Sequence, residues 1–253
     1  MSETWGLIPA RLDSSRLHGK ALLNLHSLPM IVHVAKRAGL AQLLDQVVVC
    51  TDSDQIAQVC LDFEIDVCLT SSDCRNGTER IFEAAKALGC RDSDLIIDIQ
   101  GDEPLVDPAC IDRVVEITTQ KKSEFDIFLP HLENCAPGNS NVVKVVSSRG
   151  RVLYLTRSDS PHGFALEQPL KKHLSVIGFS YESLDLFASS GEGELERLES
   201  IELLRALECG MSIFTFPLNA DSFSVDVQED FYRAEKAIEK CPLYRRHYAN
   251  STL

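Results

Sequence analysis

Short apolar runs alternate with longer amphipathic segments through the first half of the chain, a pattern that predicts βαβ units laid into a largely parallel sheet. The runs at 5–9, 46–51, 66–70 and 95–99 read as strands, and the amphipathic segments at 29–40, 53–63 and 77–88 read as helices. Local chemistry marks where helices begin. Pro29 suits an early helical position, Ser53 after Asp52 is a capping residue, and Asp107-Pro108 opens a helix running to 119.

After residue 120 the rhythm changes. Strand-like runs at 125–129, 142–146, 152–155 and 173–179 follow one another with little helical pattern between them, so an antiparallel excursion is expected. The Asn-, Pro- and Gly-rich stretch at 134–141 and the stretch at 158–168 read as loops. A helix is expected over 194–209, with Leu195, Leu198, Ile201, Leu204 and Leu207 as its apolar stripe and Gly210 as its stop. A strand at 211–216 and a closing helix at 228–240 complete the pattern. No internal repeat, low-complexity tract or linker breaks the chain, which is therefore read as one α/β domain over 1–253. Residues of about 121–193 form an inserted, strand-rich subregion within it.

With 253 residues and 44% apolar positions the chain can bury a full core. It holds no apolar run long enough to span a membrane, and its start lacks the basic and apolar regions of a signal peptide, so a cytoplasmic protein without membrane insertion is expected. A formal net charge of -13 argues against nucleic acid as a partner. The nine cysteines include no Cys-x-x-Cys pair and read as free, small, buried hydrophobes rather than as disulfides or a zinc site.

In so acidic a chain, three cations in one short loop stand out. Arg11, Arg16 and Lys20 lie in Ile8-Pro9-Ala10-Arg11-Leu12-Asp13-Ser14-Ser15-Arg16-Leu17-His18-Gly19-Lys20, just after the first strand. Ligands of α/β sheets bind at the carboxyl ends of strands, and a polyphosphate is a good reason for the cluster; an ordinary solvated turn is the other reading. A second segment, Leu95-Ile96-Ile97-Asp98-Ile99-Gln100-Gly101-Asp102-Glu103-Pro104, brings Asp102 out at the same sheet edge. A carboxylate there suits Mg²⁺ shared with substrate phosphates, although Gly-Asp-Glu-Pro also makes a turn. Asp226 is available as a partner carboxylate, or as a helix cap. The third strand leaves through Leu69-Thr70-Ser71-Ser72-Asp73-Cys74-Arg75-Asn76-Gly77-Thr78-Glu79-Arg80, a strand-to-helix loop able to read a nucleobase or simply to cap a helix. Walker, dinucleotide-binding, Gly-x-Ser-x-Gly and His-Glu-x-x-His motifs are all absent.

Taken in order along nearly the whole chain, these segments resemble the 3-deoxy-manno-octulosonate cytidylyltransferases, or CMP-Kdo synthetases. Cys50-Thr51-Asp52, Asn141-Val142-Val143-Lys144-Val145-Val146, Leu153-Tyr154-Leu155-Thr156-Arg157 and Val225-Asp226 extend the match. The resemblance implies a Rossmann-like nucleotidyltransferase with a mostly parallel central sheet. It also implies transfer of CMP from CTP to the anomeric hydroxyl of an acidic sugar, with pyrophosphate released, for lipopolysaccharide or capsule precursors. Carried onto this chain, it places Ala10, Arg11, Arg16, Lys20, Thr70, Ser71, Arg80 and Gln100 at the nucleotide. Arg16, Lys20 and Asp102 become the catalytic groups, and Asp102 and Asp226 the holders of Mg²⁺. Gln100, Arg157, His173, Ile177, Glu202 and Leu203 would face the sugar. A homodimer is implied, with the 194–209 stripe and the strands after 120 as its surface.

The departures from that family gather at the sugar end. The family pattern His-x-Gly-x-Tyr-x-Tyr is here His173-Leu174-Ser175-Val176-Ile177-Gly178-Phe179, an expected glutamine is Leu203, and Ser158-Asp159-Ser160-Pro161 follows Arg157. In the basic loop His18 replaces a proline. A pocket stripped of hydrogen-bonding groups rejects a polyhydroxylated sugar, so the expected substrate is Kdo or a modified acidic relative. Two alternatives remain open: a cytidylyltransferase for another acidic sugar such as a nonulosonic acid, and a noncatalytic sugar-nucleotide binder. The Asp102 and Asp226 pair speaks for an enzyme.

Overall fold

The computed structural model describes residues 2–13, 17–164, 169–219 and 222–247. The chain opens with β1 (Thr4–Ala10), a 3-10 turn at Lys20–Leu22 and a small ribbon of β2 (Asn24–Leu25) and β3 (Leu28–Pro29). It then winds through α1 (Met30–Ala38), β4 (Gln46–Thr51), α2 (Asp54–Asp62), β5 (Asp66–Leu69), α3 (Gly77–Ala87), β6 (Leu95–Ile99) and α4 (Pro108–Lys121). Strands β5, β4, β1 and β6 lie side by side in that order, all parallel. Their residues are apolar nearly throughout because both faces are covered. Successive residues alternate between two cores: Ile8, Val49, Ile97 and Ile99 pack toward α1 and α4, whereas Leu7, Val48, Cys50 and Ile96 pack toward α3.

The second half adds β7 (Ile127–Cys135), β8 (Lys144–Ser148), β9 (Arg151–Thr156), β10 (Leu170–His173) and β11 (Val176–Ser180). It continues with α5 (Tyr181–Ser189), α6 (Glu194–Glu199), α7 (Leu204–Glu208), β12 (Ile213–Pro217), α8 (Gln228–Lys240) and α9 (Pro242–His247). Strand β11 runs antiparallel between β6 and β7, and the later strands complete one ten-stranded sheet, β10-β8-β9-β12-β7-β11-β6-β1-β4-β5. The expected α/β class, with an antiparallel excursion in the second half, is what the chain adopts.

Three expectations need correction. The run at 173–179 is two strands, not one. Its chain changes neighbours at the break, where Leu174 N donates to Pro130 O and Ser175 O accepts from Gln100 N. The expected helix over 194–209 is likewise α6 and α7, separated at Ser200, whose φ of 52° is left-handed. In consequence Leu198 is 73% exposed while Ile201 and Leu204 are buried, so the stripe does not share one face. Strand β7 runs into the segment read as a loop at 134–141. The caps fared better: Ser53, Asn76 and Asp107 accept the expected backbone bonds at the starts of α2, α3 and α4. No helix among the described residues is long and apolar enough to cross a membrane.

Candidate active site

Because β1 and β6 are parallel neighbours, the loops that leave their carboxyl ends emerge together, where α/β sheets bind ligands. Their close passage depends on Gly101, since a Cβ there would stand 2.6 Å from Pro9 O. The segment before α8 is tied to the same place by Val225 N donating to Asp102 O at 2.9 Å. The resulting cavity, of about 270 Å³, is lined by Ala10, Arg11, Lys20, Arg75, Asn76, Arg80, Gln100, Asp102 and Asp226, among others.

Asp102 and Asp226, far apart in sequence, converge on one ammonium. Lys20 Nζ donates to Asp102 Oδ2 at 2.7 Å, to Val225 O at 3.1 Å and to Asp226 Oδ1 at 3.3 Å. Asp226 is not the cap of α8, because Asp230 accepts from the Asp226 and Val227 amides instead. Two hard oxygen donors meeting at one cationic point, beside a basic cleft, match what Mg²⁺ asks of a protein when phosphates complete its shell. Among the described residues no group of three or more His, Cys, Asp or Glu gathers as a self-sufficient metal centre.

On the α3 side, Arg80 is 3% exposed and held in place by Thr70 Oγ1 at 2.6 Å and Asp52 Oδ2 at 3.1 Å. Thr70 and Ser71 therefore position Arg80 and do not themselves line the cavity. A buried ion-pair chain fixes the same wall to the second half of the protein. The Arg205 guanidinium forks onto Glu196 at 2.7 Å for each bond and reaches Glu79 at 3.1 Å, while Glu79 also pairs with Arg75.

A second cavity of about 610 Å³ adjoins the first, sharing Arg11, Arg75, Asn76, Gln100 and Asp102 as walls. It contains four of the expected sugar-side residues besides Gln100: His173, Ile177, Glu202 and Leu203. Ile177 and Leu203 are 2% and 1% exposed. Desolvation lowers His173 to about 4, so its imidazole is neutral near pH 7, and burial raises the Glu202 carboxyl. Arg157 is not brought to either cavity; its guanidinium donates to the carbonyls of Glu199, Ser200, Ser140 and Asn141. Arg16 lies outside the described residues.

Residue-by-residue reading passed over Arg75, Asn76, Glu196 and Arg205 as site walls, and Asp98 behind Gln100. Asp98 had left a signal, an acid within an otherwise apolar strand. The others had none beyond belonging to segments already noted.

A parallel half-sheet with a basic, dicarboxylate-bearing cleft at its strand ends defines a nucleotide-handling α/β protein. A family model described as cytidylyltransferase matches residues 5–213, and the chain belongs to that family. It is 38% identical over 237 residues to the 8-amino-3,8-dideoxy-manno-octulosonate cytidylyltransferase of Shewanella baltica (strain OS195), covering 92% of this chain and 97% of that one. The Shewanella frigidimarina protein of the same name is 38% identical over 234 residues, covering 90% and 96%. Among solved structures, a CMP:2-keto-3-deoxy-manno-octonic acid synthetase complexed with CTP superposes with a TM-score of 0.87 at 28% identity, covering 94% of this chain and 99% of that one.

Proposed function

We propose that the protein transfers CMP from CTP to the anomeric hydroxyl of an eight-carbon acidic sugar and releases pyrophosphate. The observation that carries this reading is the convergence of Lys20, Asp102 and Asp226 at the edge where Arg11, Gln100 and Arg80 line the same cleft. In-line displacement at phosphorus needs positioning and charge neutralisation more than covalent help. Arg11, Lys20 and Arg16 would hold the triphosphate, and Lys20 would exchange its carboxylate partners for phosphate oxygens as CTP enters. Asp102 and Asp226 would hold Mg²⁺, which when bound neutralises the phosphate charge and polarises the attacked phosphorus. Gln100 spans both cavities, so its side chain orients the sugar against the α-phosphorus. The apolar walls Ile177 and Leu203 exclude water from the sugar.

Of the two sugars named for the relatives, 8-amino-3,8-dideoxy-manno-octulosonate is the better supported, through the higher identity of the Shewanella proteins. The reading extends to a cytoplasmic homodimer serving lipopolysaccharide or capsule precursors. Pyrophosphate release measured with each of the four nucleoside triphosphates, against a panel of acidic sugars, tests it. Turnover with CTP and an octulosonate is expected; turnover with UTP or ATP but not CTP would sink the assignment.

A further inference from the structure

Glu103 lies next to Asp102 in the loop after β6, yet it is 3% exposed and has no ion pair among the described residues. Both of its oxygens accept from hydroxyls of the segment before α8. Oε2 accepts from Ser222 Oγ at 2.5 Å, and Oε1 from Ser224 Oγ at 3.2 Å. The side chains of that segment alternate. Phe223 and Val225 pack with Leu25, Met30, Ala234 and Ile238, whereas Ser222 and Ser224 turn to Glu103, and Asp226 follows on the serines' side. Val225 N, donating to Asp102 O at 2.9 Å, closes the same seam along the backbone.

A buried carboxylate costs more than an apolar side chain of the same volume, unless its hydrogen bonds hold something that packing does not. What they hold here is the spacing of two like charges. Lys20 bridges Asp102 and Asp226 at 2.7 and 3.3 Å, so in the free protein the ammonium itself draws the acids together. In the proposed reaction Lys20 passes to the triphosphate, and the two carboxylates it leaves repel each other. Mg²⁺ tolerates little departure from octahedral geometry, so carboxylates that drift apart hold it poorly. The bonds of Glu103 do not involve Lys20 and do not depend on where it points.

We propose that Glu103 is a positioning residue for Asp102 and Asp226. By holding Ser222 and Ser224 it keeps Asp226 at the spacing from Asp102 that a divalent cation requires once Lys20 has turned to phosphate. Glu103 lines neither cavity, so it acts through the two acids and not on the substrates. The inference rests on the cytidylyl-transfer reading and adds to it the group that fixes the geometry of its carboxylate pair.

The test follows thermal stabilisation of the protein by CTP as Mg²⁺ is titrated, for the wild type, Glu103→Met, Glu103→Gln and Ser222→Ala. Methionine keeps the length of the side chain but accepts from no hydroxyl. Glutamine keeps an acceptor for one serine and offers a donor to the other. Glu103→Met is expected to raise the Mg²⁺ midpoint about tenfold, Ser222→Ala about threefold and Glu103→Gln less than about twofold, with the stabilisation by CTP without Mg²⁺ unchanged in each. The Mg²⁺ concentration for half-maximal pyrophosphate release should move in step. At saturating Mg²⁺, KM for 8-amino-3,8-dideoxy-manno-octulosonate and for its hydroxyl counterpart, 3-deoxy-manno-octulosonate, should not move. A wild-type midpoint in folded Glu103→Met overturns the proposal. So does a midpoint in Glu103→Gln raised as far as in Glu103→Met, because the charge and not the hydrogen bonds would then be at work. Should Glu103→Met fail to fold, Ser222→Ala decides, and an unmoved midpoint there overturns the proposal. A wild type that CTP does not stabilise at any Mg²⁺ concentration defeats the parent reading instead, a result distinct from an unmoved midpoint.

Discussion

The two ends of the cleft are built on different principles. At the nucleotide end, charges stand in a partly open groove: Lys20 is 17% exposed in its side chain, Asp102 23% and Asp226 26%, and the ammonium is shared by both acids. At the sugar end, Asp98 is fully buried, and the Glu202 carboxyl, with its Oε2 buried, sits against Thr78. An open groove suits a triphosphate, which exchanges counterions with water as it arrives. A dry pocket suits discrimination between sugars, because a wrong group there leaves a buried polar atom unpaired. On the proposed function, affinity and chemistry lie in one region and specificity in the other.

The largest expected effect lies at the nucleotide end. Asp102→Asn keeps the side-chain volume but removes one of the two acids at Lys20, and turnover should fall roughly a thousandfold while the melting temperature stays close to that of the wild type. Near-normal pyrophosphate release would remove Asp102 from the reacting centre and erase the contrast between the two ends. Next comes Arg205→Met, which leaves the buried Glu196 carboxylate without its cation and Glu79 with Arg75 alone. Breaking so buried an ion pair should cost about 3–5 kcal/mol in denaturant unfolding. With its wall loosened, the sugar end should show a higher sugar KM, and an equal rise in KM for CTP would mean that the two ends are not separable.

A smaller change is expected from Leu203→Gln, which returns a hydrogen-bonding group to the sugar wall. Use of the hydroxyl sugar should improve about tenfold in kcat/KM with KM for CTP unaltered; no change in either sugar would show that Leu203 is only packing. The smallest signal is the titration of His173 followed by NMR. Desolvation holds it at about 4 against an ordinary 6.5, so its ring should stay neutral down to about pH 5. A midpoint near 6.5 would mean that the sugar end is wet. His33 and His131 are also held at about 4 by burial. In the unfolded chain all three take up protons near 6.5 and in the folded one only near 4, so they subtract stability as the pH falls through that window.

Much of the parallel half was legible because its signals are local. An apolar run covered on both faces marks each of β1, β4 and β6, and Ser53, Asn76 and Asp107 mark helix starts by chemistry that acts within a few residues. The antiparallel half was less legible. Nothing in 173–179 announces the change of partner at Leu174, and nothing in 194–209 announces a left-handed Ser200, since each break follows from contacts made with distant segments. The same holds within the site. Arg11, Lys20 and Asp102 declare themselves because each sits in a loop directly after a strand, whereas Arg157 looked ready for an anion and is spent on four backbone carbonyls.

By itself the sequence determined the parallel βαβ half, the basic loop and the carboxylate after β6, because hydrophobic alternation and turn chemistry are read over a few residues. Only the tertiary structure decided that Asp226 meets Asp102 across Lys20 and that Asp98 lies buried behind Gln100. It alone set the Glu202 carboxyl in the wall of the larger cavity against Thr78. Those relations depend on which distant strands and loops pack together, and the cost of a buried, unpaired charge exists only once that packing has excluded water.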